Sequence, residues 1–170
     1  HIHFPDTYLT YRWKELALFR YFLEQTNYRY LFITSSSSYV RIPLLMKFVE
    51  ELPSEGVYVG AIPYESAEFI SGANRILSRD VVQKIVDNSL WFNPTVIEDV
   101  ALGNIVKKLG FNRTGFPISN IGSMTELENS SDKYLNSSYH FRLKSGSLDD
   151  RGDVEIMHKL HARIRKVESL

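Results

Sequence analysis

Apolar residues recur at helical spacing in several separate segments of this chain. Residues 11–25 place Leu16, Phe19 and Leu23 on one face, which predicts an amphipathic helix. Further helices are predicted over residues 43–52, 79–88, 95–109 and 152–167. A proline opens the first of these and Gly110 follows the third, as is typical of helix starts and ends.

Shorter runs of β-branched and aromatic residues alternate with these helices. They predict strands over residues 30–33, 57–61 and 139–144. Ser78 is predicted to cap the helix that follows it, with Asp80 near the positive end of the helix dipole. Residues 122–138 are rich in serine and asparagine, which predicts a surface loop. The alternation of elements predicts a single mixed α/β domain over residues 1–170.

The strand over residues 30–33 ends in a run of four serines, Ser35, Ser36, Ser37 and Ser38. In open α/β sheets, ligands gather at the carboxyl ends of the strands. Small polar residues at the end of a buried strand therefore predict a binding site to which Ser35, Ser36 and Ser37 contribute.

Composition and charge argue against several classes of function. Twenty basic residues balance twenty acidic ones, so no overall field draws the chain toward nucleic acid or a charged membrane surface. The absence of cysteine excludes disulfides, thiolate nucleophiles and zinc–thiolate sites. No apolar stretch approaches the roughly 20 residues of a spanning helix. Because the chain does not begin with methionine, we expect it to be a segment of a longer protein.

Paired carboxylates open the helix predicted over residues 95–109. Glu98 and Asp99 lie near its start, where the helix dipole favours negative charge, and one of them could point into a cleft as a general base. Simple complementarity to the dipole explains the same residues without any chemistry.

Two further groups could contact a ligand. Ser71 and Gly72 are small enough for a backbone to approach a ligand closely, although a plain turn accounts for them equally well. His140, Arg142 and Lys144 alternate along a predicted strand, so they should share one face and could hold a diphosphate. A solvated strand face is the alternative. The tripeptide at residues 151–153 matches an adhesion motif but only opens the last helix.

Several short motifs occur in an order that resembles the β-1,3-galactosyltransferase and Fringe-like glycosyltransferases. The similarity runs through Asp6-Thr7-Tyr8-Leu9-Thr10, Tyr30-Leu31-Phe32-Ile33-Thr34, Phe69-Ile70-Ser71-Gly72, Ile76-Leu77-Ser78-Arg79-Asp80, Glu98-Asp99-Val100-Ala101-Leu102-Gly103, Lys108-Leu109-Gly110 and Tyr139-His140-Phe141-Arg142. It covers nearly the whole chain, up to a closing helix around residues 157–160.

The resemblance implies a GT-A-like mixed sheet flanked by helices, incomplete at its N-terminus and equivalent to the last two thirds of that fold. It implies an inverting transferase that takes a nucleotide-sugar donor and a glycan acceptor, with Asp99 as base and Glu98 as its neighbour. Ser71 and Gly72 would line the donor or acceptor pocket. With no cysteine and no membrane anchor, we expect a cytoplasmic enzyme of surface polysaccharide synthesis, and membrane association stays open.

Two departures from the family pattern qualify this expectation. The family's acidic, metal-binding triplet is replaced by Ser35, Ser36 and Ser37, and hydroxyls are poor ligands for Mg²⁺ or Mn²⁺. We therefore predict transfer without a metal cofactor, with Arg142, Lys144, His140 and Arg41 meeting the leaving-group charge. The chain also starts at what resembles the end of the family's nucleotide-binding section, so we expect either a longer chain or a degenerate nucleotide pocket. A further segment or an oligomer should then cover an exposed sheet edge.

Two other interpretations remain open from the sequence. The chain could be a glycosyltransferase-like domain without catalysis that binds glycan or a protein partner, which the loss of the acidic triplet favours. It could also be an unrelated α/β domain whose motif matches are coincidental.

Overall fold

The structure, a computed structural model, describes residues 10–146 and 151–168, apart from the side chains of Arg12, Val167 and Glu168. It is a mixed α/β structure, as predicted. The chain divides into two compact units, the first formed by His1–Ile33 and Leu52–Pro117, the second by Thr34–Glu51 and Ile118–Leu170. A single catalytic domain over residues 1–170 stays a prediction.

The described residues contain seven α-helices and six strands. The helices are α1 (Tyr11–Gln25), α2 (Ile42–Glu50), α3 (Arg79–Asp87), α4 (Glu98–Lys108), α5 (Met124–Asn129), α6 (Asp132–Ser137) and α7 (Asp153–Glu168). The strands are β1 (Tyr30–Thr34), β2 (Ser38–Val40), β3 (Tyr58–Ile62), β4 (Asn74–Ser78), β5 (Thr114–Pro117) and β6 (His140–Arg142). Within this part of the chain, no helix is both long enough and apolar enough to cross a membrane.

A four-stranded mixed sheet with the order β1-β4-β3-β5 organises the first unit. Strand β3 pairs antiparallel with β4 and parallel with β5. Helices α1, α3 and α4 supply the apolar side chains that pack with the sheet into one core, among them Phe19, Val82 and Leu102. Each such side chain contributes about 2 kcal/mol when fully buried. Every residue of β4 is buried, as expected of an interior strand.

The second unit is built on a two-stranded antiparallel sheet. Strands β2 and β6 pair with Ser38 opposite Arg142 and Val40 opposite His140. Phe141 and Leu143 pack with Leu160 and Ile164 of α7 in a separate core. This pairing joins the serine run to the strand that carries the predicted cationic residues.

Most of the predicted elements are confirmed, with small shifts at their ends. Helix α1 has the predicted bounds, and Gly110 follows α4 with φ +83°, the left-handed conformation expected after a helix end. Strand β6 is shorter than the predicted strand over residues 139–144, so Lys144 lies beyond it. The motif residues Asp6, Thr7, Tyr8 and Leu9 lie outside the described residues.

One prediction of local structure was wrong, one strand was missed, and the predicted N-cap at Ser78 was confirmed in position only. Residues 122–138 are not one loop, because they contain α5 and α6, whose first turns are capped by the Ser123 and Ser131 hydroxyls. Strand β4 was not predicted, since its first two residues are polar. Ser78 occupies the N-cap position of α3, but its Oγ accepts from the Val57 amide at 2.8 Å and donates to Asp80 instead of capping the helix.

Candidate functional site

A buried arginine in the interior strand β4 collects three carboxyl groups. The Arg75 side chain is fully buried, and its NH2 forms ion pairs with Oε1 of Glu15 and, at 2.5 Å, with Oε1 of Glu98. Its NH1 lies 3.2 Å from Oδ1 of Asp99. A buried guanidinium is stable only when its charge is paired, so this cluster is a structural requirement of β4 as well as a candidate site.

Three elements bring these groups together. Glu15 lies on the apolar side of α1, one turn before Phe19, and this side packs inward. Glu98 and Asp99 open α4, where the helix dipole favours their negative charge. Arg75 comes from the centre of the sheet.

The predicted residues Gly72 and Asp99 meet within the first unit although they are 27 positions apart. The Gly72 amide donates to Oδ1 of Asp99 at 3.0 Å. A Cβ atom at position 72 would stand only 2.7 Å from that oxygen, so a glycine is needed for this close approach. Ser71 serves the turn itself, because its amide donates to the Ala61 carbonyl and its Oγ accepts from the Ala73 amide.

Burial changes the proton affinity of this cluster. Burial raises the pKa of Asp99 to about 7, the hydrogen bond and charge of Glu98 act in the same sense, and Arg75 and the Gly72 amide act against them. Burial likewise raises the pKa of Glu98 to about 7, opposed by Arg75 and supported by Glu15. Although burial opposes it, the three carboxylates hold the pKa of Arg75 above its ordinary value.

Exposure separates the roles of these side chains. The Asp99 side chain is 24% exposed, against 9% for Glu98, 3% for Glu15 and 0% for Arg75. Asp99 is therefore the most solvent-accessible carboxyl group of the cluster. A carboxyl group with a pKa close to 7 is suited to accept a proton at neutral pH.

The second unit gathers the serine run and two arginines. Oγ of Ser35 accepts from NH1 of Arg142 at 3.0 Å and lies 3.0 Å from Oγ of Ser38. Oγ of Ser37 accepts from NH2 of Arg151, and the Ser37 carbonyl accepts from the Leu143 amide at 2.7 Å. These contacts fix the turn between β1 and β2, while Ser36 remains exposed.

The other predicted cationic residues have different surroundings. His140 is buried, with its Nε2 3.3 Å from Oγ1 of Thr34. Lys144 is exposed beyond the end of β6. Arg41, expected to meet leaving-group charge, is buried and donates to the Leu135 carbonyl at 2.9 Å and to the side chain of Asn136. Arg41 therefore holds the end of α6, and we no longer assign it to a ligand.

Arg151 and Asp153 form part of the same cluster in the second unit. Asp153 is paired with Arg151, and its Oδ1 accepts from the amide and the hydroxyl of Ser145 at 2.9 and 2.8 Å. Although burial acts against it, the hydrogen bonds from Arg151 and Ser145 hold the pKa of Asp153 below its ordinary value. The adhesion-like tripeptide is thus engaged in local contacts that order the start of α7.

Sequence reasoning missed Glu15, Arg75 and Arg151. Glu15 had a detectable signal, since it is a charged residue on the apolar side of α1. Arg75 had a weaker one, because it precedes the apolar residues Ile76 and Leu77 but follows the polar Asn74. Charged residues are almost never fully buried unless they are paired. Arg151 had no such signal, because it lies far in sequence from Ser37.

Neither a group of metal ligands nor a pocket in the first unit changes this choice of site. Within residues 10–146 and 151–168, no group of three or more His, Asp or Glu side chains is arranged to hold a metal ion. A pocket of about 380 Å³ in the first unit is lined by residues that include Glu68, Lys107, Phe111 and Arg113, and by none of the predicted site residues. Its Glu68–Lys107 ion pair is about two thirds exposed, a kind of pair that contributes little.

No protein-family model matches the chain, and no curated protein matches it.

Proposed function

We propose that this chain is the catalytic segment of an inverting glycosyltransferase. It transfers a sugar from a nucleotide-sugar donor to a hydroxyl group of a glycan acceptor, in the synthesis of a surface polysaccharide. The observation that supports this proposal best is the partly exposed Asp99 carboxyl group, held by the Gly72 amide and the Arg75 guanidinium. The order of the glycosyltransferase-like motifs along the chain supports it independently.

Asp99 acts as the general base in this proposal. The acceptor oxygen attacks the anomeric carbon as the bond from that carbon to the diphosphate breaks, and Asp99 takes the hydroxyl proton. The reaction needs a base that is ionised at neutral pH and still has appreciable proton affinity, which fits the pKa of about 7 for Asp99. Glu98 stays behind it as a buried neighbour.

The diphosphate leaving group carries negative charge that must be stabilised without the usual carboxylate-bound metal. In the second unit, Arg142 and Arg151 contact Ser35 and Ser37, which stand where the family has its acidic triplet. Guanidinium groups form strong charge-assisted hydrogen bonds with phosphate oxygens. Transfer is therefore independent of divalent metal in this proposal.

The first test combines ligand binding with transfer. We expect one nucleoside diphosphate to raise the melting temperature of the protein in EDTA as much as in Mn²⁺, since a ligand that binds only the folded state stabilises it. Asp99→Asn should keep this stabilisation and lose transfer by about 10²–10⁴-fold, the usual contribution of a general base. Binding is measured by thermal shift, and transfer by release of the nucleoside diphosphate with an acceptor glycan.

Matched variants make the result specific. Asp87→Asn, at an exposed position on α3, should change neither quantity. Arg142→Gln should weaken the nucleotide-dependent stabilisation and leave the unliganded melting temperature close to that of the wild type. Full transfer by Asp99→Asn would contradict the assignment of Asp99 as the base. Strict dependence of transfer on Mn²⁺ would contradict the metal-independent step. Glycan binding without any nucleotide binding would favour the non-catalytic alternative.

A further inference from the structure

The carboxyl groups of Glu98 and Asp99 lie close together beside Arg75. A Cβ atom at position 72 would stand 2.7 Å from Oδ1 of Asp99 and 3.6 Å from Oε2 of Glu98, and both carboxyl groups pair with Arg75. Two neighbouring carboxylates do not both ionise readily, because each disfavours the negative charge of the other. Their proximity therefore favours a proton retained by the pair.

The charges of the whole cluster also favour a retained proton. Three ionised carboxylates around one guanidinium would leave two net negative charges. Water cannot compensate for them, because the side chains of Arg75, Glu15 and Glu98 are at most 9% exposed. Retaining a single proton removes half of this excess charge from a region where uncompensated charge is very costly.

Glu15 competes with Glu98 for the same guanidinium nitrogen. Oε1 of Glu15 and Oε1 of Glu98 both pair with NH2 of Arg75. In the described part of the chain, Oε2 of Glu15 has no hydrogen-bond partner, so its charge depends on the contact through Oε1. Less of the positive charge of Arg75 is therefore available to Glu98 and Asp99.

Among the residues that the structure describes, the other titratable groups that face the cluster are two tyrosines. Tyr11 comes from α1 and Tyr58 from β3, and burial raises the pKa of both, that of Tyr58 to about 12. Both phenols are neutral at neutral pH. The proton of the described cluster is therefore held by the carboxyl groups beside Arg75 and not by a phenol.

We propose that Glu98 and Asp99 share one proton in the folded chain, and that Glu15 is the positioning residue that keeps it there by occupying Arg75. The raised pKa of both Glu98 and Asp99 agrees with this arrangement. Glu15 then sets the pH above which Asp99 becomes available as a base. This last consequence rests on the proposed function, whereas the shared proton does not.

Infrared spectroscopy tests the shared proton without any enzymatic assay. The C=O stretching band of a protonated carboxyl group is followed from about pH 5 to about pH 9. Ordinary carboxyl groups are ionised over nearly all of this range. The wild type should lose such a band with a midpoint near neutral pH, and Asp99→Asn should change it. Absence of a protonated-carboxyl band at about pH 6 would overturn the proposal.

Substitution of Glu15 tests its positioning role. Glu15→Gln leaves Arg75 to Glu98 and Asp99 alone, so the midpoint should fall by about one pH unit. Glu24→Gln, at an exposed position on the same helix, should leave it unchanged. Glu15→Met replaces the charged side chain by an apolar one suited to the core and should lower the midpoint equally. It serves as the test variant if Glu15→Gln does not fold. An unchanged midpoint in the folded Glu15 variant contradicts the role.

The pH dependence of transfer separates this inference from the proposed function. The acid limb of the pH–rate profile should move with the infrared midpoint in Glu15→Gln, a shift that loss of packing alone would not produce. A titrating band that shifts as expected, in a protein that transfers no sugar, supports the shared proton and contradicts the function. Sugar transfer by a protein that lacks the band supports the proposed function and contradicts the shared proton.

Discussion

The carboxyl group of Asp99 is held on two sides, by the Gly72 amide at 3.0 Å and by the Arg75 guanidinium at 3.2 Å. Both contacts use the same oxygen, Oδ1, and the side chain is partly exposed. Such positioning matters in catalysis, because small displacements of a reacting group reduce rates strongly. The glycine that permits the approach is therefore part of the site although it has no side chain.

We predict that Gly72→Ala displaces Asp99. The added methyl group would stand 2.7 Å from Oδ1, so the carboxyl group must move away from the amide. Transfer should fall by at least about tenfold, and the free energy of unfolding by about 1–2 kcal/mol, the cost of a disturbed buried hydrogen bond. Gly152→Ala is the control for stability, since its nearest contact is at an ordinary 3.6 Å. Wild-type activity in Gly72→Ala would contradict this account.

Helix α4 is the element that brings Glu98 and Asp99 to the interior strand. It starts at Glu98, so both carboxyl groups lie in its first turn, and Ala101, Leu102, Ile105 and Val106 bury its inner face. The packing of this face fixes the rotation of the helix and thereby points Glu98 and Asp99 toward Arg75. Binary patterning thus serves the site as well as the core.

Helix α5 depends on its N-cap more than the longer helices do, because it has only six residues. Oγ of Ser123 accepts from the Glu126 amide at 3.1 Å, and Oε2 of Glu126 accepts from the Gly122 amide at 2.6 Å. These contacts resemble a capping box, a local arrangement that can define a helix where apolar periodicity is weak.

We expect Ser123→Ala to lower the free energy of unfolding by about 1 kcal/mol, because one amide at the start of α5 loses its acceptor. Ser123→Asp should keep most of the stability, since aspartate is an equally good cap. Thr125→Ala, exposed on the same helix, is the matched control and should cost nothing. Urea unfolding measures all three; equal stability of Ser123→Ala and the wild type would show that the cap is dispensable.

At the scale of the whole molecule, the two units should respond to acid in opposite senses. The pKa of Asp99 is higher in the folded chain, about 7, than its unfolded value of about 3.9. Between these values the folded state binds more protons than the unfolded state, so the free energy of unfolding falls as the pH rises. The pKa of Asp153 is lowered instead, so the stability that it contributes is lost as the pH falls below about 4.

We therefore predict that acidification from about pH 7 to about pH 5 protects the first unit, by an amount on the order of 3 kcal/mol if one carboxyl group dominates. Below about pH 4, the second unit should lose protection while the first does not. Hydrogen exchange of peptides from each unit, corrected for the intrinsic rate, measures both effects. Asp153→Asn should remove only the acid loss in the second unit. Parallel behaviour of the two units would contradict the assignment.

Part of the fold followed from the sequence because the information was local. The bounds of α1, the proline at the start of α2 and the glycine after α4 depend on periodicity and on the backbone preferences of single residues. Helices α5 and α6 were not predicted because their short, polar segments lack an apolar period, although the capping serines are evident in the sequence. Strand β4 escaped because Asn74 and Arg75 break its apolar pattern.

The chemical candidates Ser35, Ser37, Gly72, Asp99 and Arg142 were all named from residue type and position. The tertiary structure decided which of them lie together, because their contacts join residues that are from 27 to more than 100 positions apart in the sequence. Glu15 and Arg75 entered the site in the same way, through the packing of α1 and α4 with the sheet. Local sequence fixes helix and strand by short-range forces. Charge pairing in a buried core depends on which distant residues the fold removes from water together.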